Sequence, residues 1–173
     1  MDNIAINRLE NNIIAFNVAL GSKKGAIRFT SNLDTTNHVV SENDNEVDTI
    51  NVPVEVLDDI LENQQIPLLL KIDTEGYETE VLTGAHKILI NKNLKAIIIE
   101  LNGSGNRYGY DEQKLHKMLL ELDFNPFLYN PEQRLLTSID SFGTHNTLYI
   151  RDVDFVQNRL NLAGKIKILD NEI

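Results

Sequence analysis

Three short runs dense in aliphatic residues, 13–20 (IIAFNVAL), 68–72 (LLLKI) and 96–101 (AIIIEL), alternate with stretches of helical periodicity, and this alternation restricts the fold more than any other feature. Runs apolar on both faces belong to strands covered from both sides, so the pattern predicts an α/β protein on a mainly parallel sheet. Between the second and third runs, Tyr77, Val81, Leu82, Ala85, Ile88 and Leu89 trace one helical face. Glu75, Glu78 and Glu80 crowd the start of that helix and His86, Lys87 and Lys92 its end, as the helix dipole prefers. Asp111 caps a further helix with Leu115, Met118, Leu119 and Leu122 on one face. Residues 25–30, 49–54, 126–129 and 146–150 read as strands, the second at a sheet edge because Pro53 has no N–H to donate. Residues 55–63 and 153–162 read as helices, the latter within a C-terminal helical tail, 152–173. The polar stretch 32–48, with Leu33, Val39, Val40 and Val47 its only apolar residues, reads as a mobile acidic loop.

Composition narrows the function. A chain of 173 residues suits one domain of ordinary size. Sixteen Lys and Arg against 26 Asp and Glu leave a net charge of −10, so no basic stripe follows a phosphate backbone and no anionic membrane attracts the surface. With no Cys there are no disulfides, thiolate nucleophiles or zinc ribbons. Met1-Asp2-Asn3-Ile4 opens without a basic or apolar leader, and no run approaches a membrane span. The expectation is a soluble cytoplasmic protein with neither nucleic acid nor membrane as partner.

In parallel sheets ligands sit beyond the carboxyl ends of the strands. Asp73 and Glu75 follow the run 68–72, and Glu100 with Asn102 closes the run 96–101. If those strands are neighbours, as their short connection favours, the acids converge on one cleft. A carboxylate there can orient or deprotonate a hydroxyl. Three oxygens of this type also suit Mg²⁺ or Ca²⁺, but no His accompanies them and no metal is assigned. The plainer alternative is that Asp73 and Thr74 cap the next helix and Glu100 pairs with a Lys. Gly103-Ser104-Gly105-Asn106-Arg107-Tyr108-Gly109 misses the dinucleotide-binding spacing by one residue. It reads as a flexible loop at the cleft mouth, where Arg107 and Tyr108 could touch a substrate. His86 and His116 read as solvated, His38 lies in the polar loop, and His145, with Thr144 and Asn146, could approach the site.

Residues 71–78, Lys-Ile-Asp-Thr-Glu-Gly-Tyr-Glu, followed by Val81-Leu82-x-Gly84-Ala85, resemble the signature K-I-D-x-E-G-x-E-x-x-V-L-x-G-A of FkbM-type methyltransferases. Phe16-Asn17-Val18-Ala19-Leu20-Gly21 resembles the end of that family's third strand. Val52-Pro53-Val54-Glu55-Val56-Leu57-Asp58 is similar to the stretch preceding the signature, and Ile97-Ile98-Ile99-Glu100-Leu101-Asn102 to the strand ending in an acid. The resemblance covers roughly residues 3–150. It implies a Rossmann-like class I methyltransferase sheet with an antiparallel C-terminal strand, over residues 1–151, and S-adenosylmethionine as cofactor. It further implies O-methylation of a small-molecule or glycan hydroxyl. On that reading Asp73, Glu75 and Glu100 are catalytic candidates. Ala19, Leu20 and Asp73 face the cofactor, and Asn102, Arg107 and Tyr108 face the acceptor.

The family's glycine-rich cofactor turn, G-x-N-x-G, has no counterpart here, so the chain resembles an N-terminally truncated domain lacking two strand–helix units. In the family's strand order that leaves a gap of roughly 14 Å, three inter-strand spacings, between strands 13–20 and 68–72. A gap of that width bares strand edges. Three resolutions follow: a fragment of a longer gene product, a partner or second copy covering the open edge, or strand 13–20 sliding in to pair with 68–72, the arrangement expected of the isolated chain. The alternative function is a non-catalytic interaction module.

Overall fold

The computed structural model describes residues 2–42, 44, 48–143, 145–165, 167–168 and 171–172. A short helix, α1 (Asp2–Ile6), leads into exposed chain. Then come β1 (Ala19–Leu20), β2 (Gly25–Thr30), β3 (Thr49–Glu55), α2 (Leu57–Ile60), β4 (Leu69–Ile72), α3 (Glu78–Thr83), α4 (His86–Ile90) and β5 (Ala96–Glu100). The second half comprises α5 (Glu112–Glu121), β6 (Asn125–Asn130), β7 (Leu135–Ser138), β8 (Asn146–Ile150), α6 (Val153–Leu162) and the minimal strands β9 (Lys167–Ile168) and β10 (Asn171–Glu172).

The strands form two main sheets rather than one. A three-stranded sheet has the order β1-β3-β2, and a five-stranded sheet the order β4-β5-β8-β6-β7. β4 and β5 are parallel neighbours, as the short connection requires. β8 lies antiparallel between β5 and β6, so the expected antiparallel C-terminal strand is present. The expected parallel character is confined to the β4–β5 and β1–β3 pairs, and the architecture is mixed α/β. The core forms where α3, α4 and α5 meet the larger sheet, around Val81, Leu82, Ile88, Ile97, Ile99, Leu119 and Tyr149. β5 reads as a dense run because it is central: Ile97 and Ile99 are fully buried and Ala96 nearly so.

The expected strand 13–20 is largely absent. Only Ala19 and Leu20 pair, and their partner is β3, not β4. Pro53 supplies a reason. The amide of Gly21 donates to the Glu55 carbonyl, and in this parallel register the next bond back would run from the amide of residue 53 to the carbonyl of Asn17. Proline has no such hydrogen, so the ladder stops at Ala19. The same proline does not mark an edge strand, because β3 is central. Its missing donor lies on the short β1 side, while the full β2 ladder uses the other edge. Ile13, Ile14 and Phe16 are left exposed, Ile14 at 79% and Phe16 at 61%.

Two further readings change in three dimensions. The helix expected over 77–89 is broken into α3 and α4 at Gly84, whose carbonyl accepts from Asp58. A Cβ on Gly84 would sit 2.2 Å from the Gly21 carbonyl oxygen, so this close approach requires glycine. In the polar stretch 32–48, Asn43 and residues 45–47 lie outside the described residues. The remainder covers the outer edge of β2: Val39 bridges Phe29, and Thr30 and His38 exchange hydrogen bonds. His38 is buried, with Nδ1 2.7 Å from the Thr36 carbonyl oxygen and Nε2 3.0 Å from Asp44. His116 is likewise buried rather than solvated, 2.7 Å from the Tyr149 hydroxyl and edge-on to Phe142. His86 and His145 are exposed, and Thr144 is outside the described residues. Among the described residues no helix is long and apolar enough to cross a membrane.

Candidate functional site

The carboxyl ends of β4 and β5 carry the loops 73–77 and 101–109, and each loop is built on the other. Glu75 and Gly76 both take left-handed backbone conformations, φ 53° and 101°. Gly76 lies so close to the second loop that a Cβ would meet the Ser104 carbonyl oxygen at 2.5 Å. Only glycine satisfies both the angle and the contact. The buried carboxylate of Glu78 fastens the turn from beneath, accepting from the Thr74 amide and hydroxyl at 2.9 Å each and from the Gly76 amide at 3.2 Å. Glu112 does the same for the second loop, accepting from the Gly103 amide at 2.9 Å and the Gly105 amide at 3.4 Å.

This scaffold brings Asp73, Glu75 and Glu100 together, one carboxylate oxygen of each lying within 4.8 Å of the others. Burial, then the charges of Asp73 and Glu75, raise the Glu100 pKa above the ordinary carboxylate range. A hydrogen bond from Glu100 to Asp73 acts in the same direction, and one from Asn102 opposes it. Lys71 pairs with Asp73 at 2.6 Å from the exposed side. Such a trio can hold a shared proton, take one from a hydroxyl, or offer hard oxygens to a divalent cation.

Asp73, Thr74, Glu75 and Tyr77 form one wall of a cleft of about 660 Å³ between the two sheets. Ala19 and Leu20 stand on the opposite wall with Phe29, Val39, Ile50 and Val52, a mainly apolar wall to which Asn17 and Asn37 add amides. Thus Ala19, Leu20, Asp73 and Glu75 share one cleft, and Glu100 stands behind Asp73. Asn102 lies exposed, and its Oδ1 also accepts from the Ser104 amide at 2.9 Å. Arg107 reaches the Glu75 carbonyl at 3.5 Å. The Tyr108 hydroxyl donates to the Val39 carbonyl at 2.7 Å, joining the 101–109 loop to the smaller sheet. That loop is a 3-10 turn over Ser104–Tyr108, held at its base by Glu112, rather than loose chain.

The sequence reading missed three supports of this site. In the sequence Glu78 and Glu80 fit the helix-dipole pattern, yet each has a specific partner. Glu80 accepts from the Tyr110 hydroxyl at 3.1 Å and from the Ser22 hydroxyl, linking the smaller sheet, α3 and the 101–109 loop. Tyr77, Tyr108 and Tyr110 stack into one cluster, with centroids 5.5 to 6.3 Å apart. Burial and the nearby Glu80 charge raise the Tyr110 pKa, so the phenol stays a donor. A signal for Glu78 existed in the signature itself, since a carboxylate after a tight turn is placed to accept from its bare amides.

Neither the curated proteins nor the solved structures compared with the chain contain a match. A family model does match: that of the methyltransferase FkbM domain, over residues 1–126, which ends two residues into β6 and is shorter than the resemblance over residues 3–150. The matched region holds both walls of the cleft and all three clustered carboxylates, and covers well over half of the chain, which belongs to the FkbM methyltransferase domain family.

Proposed function

We propose that this chain is an S-adenosylmethionine-dependent methyltransferase domain acting in the cytoplasm, and that it methylates a hydroxyl on a small-molecule or glycan acceptor. The observation that carries this reading is the meeting of Asp73, Glu75 and Glu100 beside a cleft at the carboxyl ends of two parallel strands. The residues suit the cofactor in two respects. Carboxylates favour a nearby sulfonium charge, and Ala19 and Leu20 offer apolar surface to the adenine side. When bound, the cofactor supplies an electrophilic methyl group for in-line displacement.

The chain's own residues then have distinct tasks. Asp73, which lines the cleft, orients the acceptor hydroxyl and takes its proton. Glu100 stands behind it, its pKa raised by burial and by the charges of Asp73 and Glu75, and its hydrogen bond to Asp73 holds that carboxylate in position. Glu75 and Tyr77 close the wall beside the acceptor, with Arg107 and Asn102 at the rim. Tyr108 contributes by position rather than by its hydroxyl, which is engaged with Val39.

Two measurements test this. Calorimetry with S-adenosylmethionine gives micromolar affinity if the cleft is competent; no heat at millimolar cofactor ends the catalytic reading for this chain. Transfer of a labelled methyl group to a panel of hydroxylated acceptors falls by about 10²-fold or more in Asp73→Asn if that residue is the base. The second reading, an interaction module without catalysis, draws on the exposed apolar segment around Ile14 and Phe16, and would be favoured by the first outcome failing.

A further inference from the structure

We propose that the buried His38–Asp44 pair is a protonation-dependent latch: the imidazolium form fastens residues 36–41 along the smaller sheet, sets one wall of the cleft, and releases it on losing a proton. Both ring nitrogens of His38 face acceptors. Nδ1 is 2.7 Å from the Thr36 carbonyl oxygen and Nε2 is 3.0 Å from Asp44 Oδ1, with the His38 side chain 6% exposed. A neutral imidazole carries one N–H, so either tautomer turns a lone pair onto one of these oxygens. Only the imidazolium donates to both. Where water is excluded, a contact of that kind is costly.

Asp44 is held in its charged form. Its Oδ2 accepts from the Ser41 amide at 2.7 Å and the Ser41 hydroxyl at 2.8 Å. Those bonds, the amide's first, outweigh burial and bring its pKa down to about 2. A neutral His38 would therefore leave a part-buried carboxylate without its cation.

The residues on either side of His38 carry the consequence to the cleft, because Asn37 and Val39 both line it. Val39 bridges Phe29, the Val40 amide donates to the Arg28 carbonyl at 2.9 Å, and the Val39 carbonyl receives the Tyr108 hydroxyl. Residues 36–41 thus join the outer edge of β2 to the 101–109 loop, with the ring as their charged fastening. Other charged groups nearby are turned elsewhere among the described residues. Glu42 is exposed, Arg28 on β2 donates to Thr49, and Asp48 meets Asn32. From the 101–109 loop, Arg107 reaches the Glu75 carbonyl. Tyr108 approaches as a phenol whose pKa burial raises, with the Asp44 charge acting in the same direction. The latch is closed while His38 is protonated and is lost as pH rises through its titration.

Nitrogen-15 NMR and amide exchange of the full chain test this, and neither readout depends on a cofactor. At about pH 6 both His38 ring nitrogens are expected to carry protons, with His116, whose pKa burial lowers, as the neutral reference. At about pH 8.5 the His38 ring should have lost one proton. Protection at the His38 and Val40 amides, corrected for intrinsic exchange, should fall by about tenfold over that interval while Ile97–Ile99 is unchanged. Asp44→Asn should lower this protection at the acidic end and remove most of its pH dependence, and His38→Gln should do the same. The wild-type measurement stands even where a variant fails to fold. The proposal is overturned if His38 holds a single ring proton at the acidic end, if wild-type protection at Val40 is equal at both ends, or if folded Asp44→Asn keeps the full pH dependence. Equal loss of protection at Ile97–Ile99 would mean global unfolding and overturn it as well.

Discussion

Glu100 shows how far a single side chain depends on its surroundings. Burial, and two like charges brought to it from β4, lift its pKa above the value it has in the unfolded chain. Its sign follows from linkage: a folded-state pKa raised above the unfolded one favours the fold below the unfolded pKa, and that contribution is lost as pH rises through the folded pKa. Glu100→Gln cannot ionise. It should therefore be more stable than wild type at pH 7, by less than about 1 kcal/mol because the group is part-exposed and screened, and equal to it near pH 4. Chemical denaturation of both proteins across that range checks the sign, and a wild-type advantage at neutral pH would refute the crowded-acid account. Asp73 at the strand end was legible from the sequence as a site residue. Glu78, two-thirds of whose bonds go to a single turn of backbone, was not, because a helix-start glutamate looks the same whether it caps a dipole or fastens a loop.

At the scale of elements, Arg151 holds several chain ends at once. It follows β8, and its guanidinium donates to the carbonyls of Leu89, Asn91, Leu94 and Leu122 while lying 4.0 Å from the Phe124 ring centroid. The ends of α4 and α5 thus have their last carbonyls satisfied by one side chain. Arg151→Ala should cost about 2–4 kcal/mol, since it leaves carbonyls without donors and removes the ring contact. Lysine restores little, because it lacks the planar fork. Thermal melts of the Ala and Lys variants decide this, and a loss below about 1 kcal/mol for Arg151→Ala would show the carbonyls solvated instead. Periodicity foresaw α5, β2, β5 and β8 because each sets a regular pattern against the rest of the chain, and α6 although none of its residues is fully buried. It could not foresee the break between α3 and α4, which Gly84 makes by approaching Gly21, a contact 63 positions away in the chain.

At the scale of the molecule, two sheets share a cleft and the segment between α1 and β1 stays outside both. Amide exchange should therefore be near the unprotected rate at Ile14–Val18 and slowest at Ile97–Ile99, in the central strand β5. Mass spectrometry of exchanged peptides measures both at once. Protection of 13–18 comparable to β5 would mean that this segment pairs in solution and that the larger sheet is extended. The two sheets are joined by polar links, Ser22 to Glu80 and Tyr108 to Val39, around the tyrosine cluster, and by Leu20 packing against the core of the larger sheet.

By itself the sequence determined that acids close two parallel neighbouring strands, because strand and helix periods, a short crossover and the position of Asp73 and Glu100 within it are all local properties. It also determined the family, through the string from Lys71 to Ala85. Only the tertiary structure decided that residues 13–18 join no strand among the described residues, that the sheet divides in two and that β8 enters between β5 and β6. Strand pairing is settled by backbone groups of distant segments meeting in register. One proline without a donor, or one glycine allowing close approach, changes which edges meet while leaving the apolar pattern of the chain untouched.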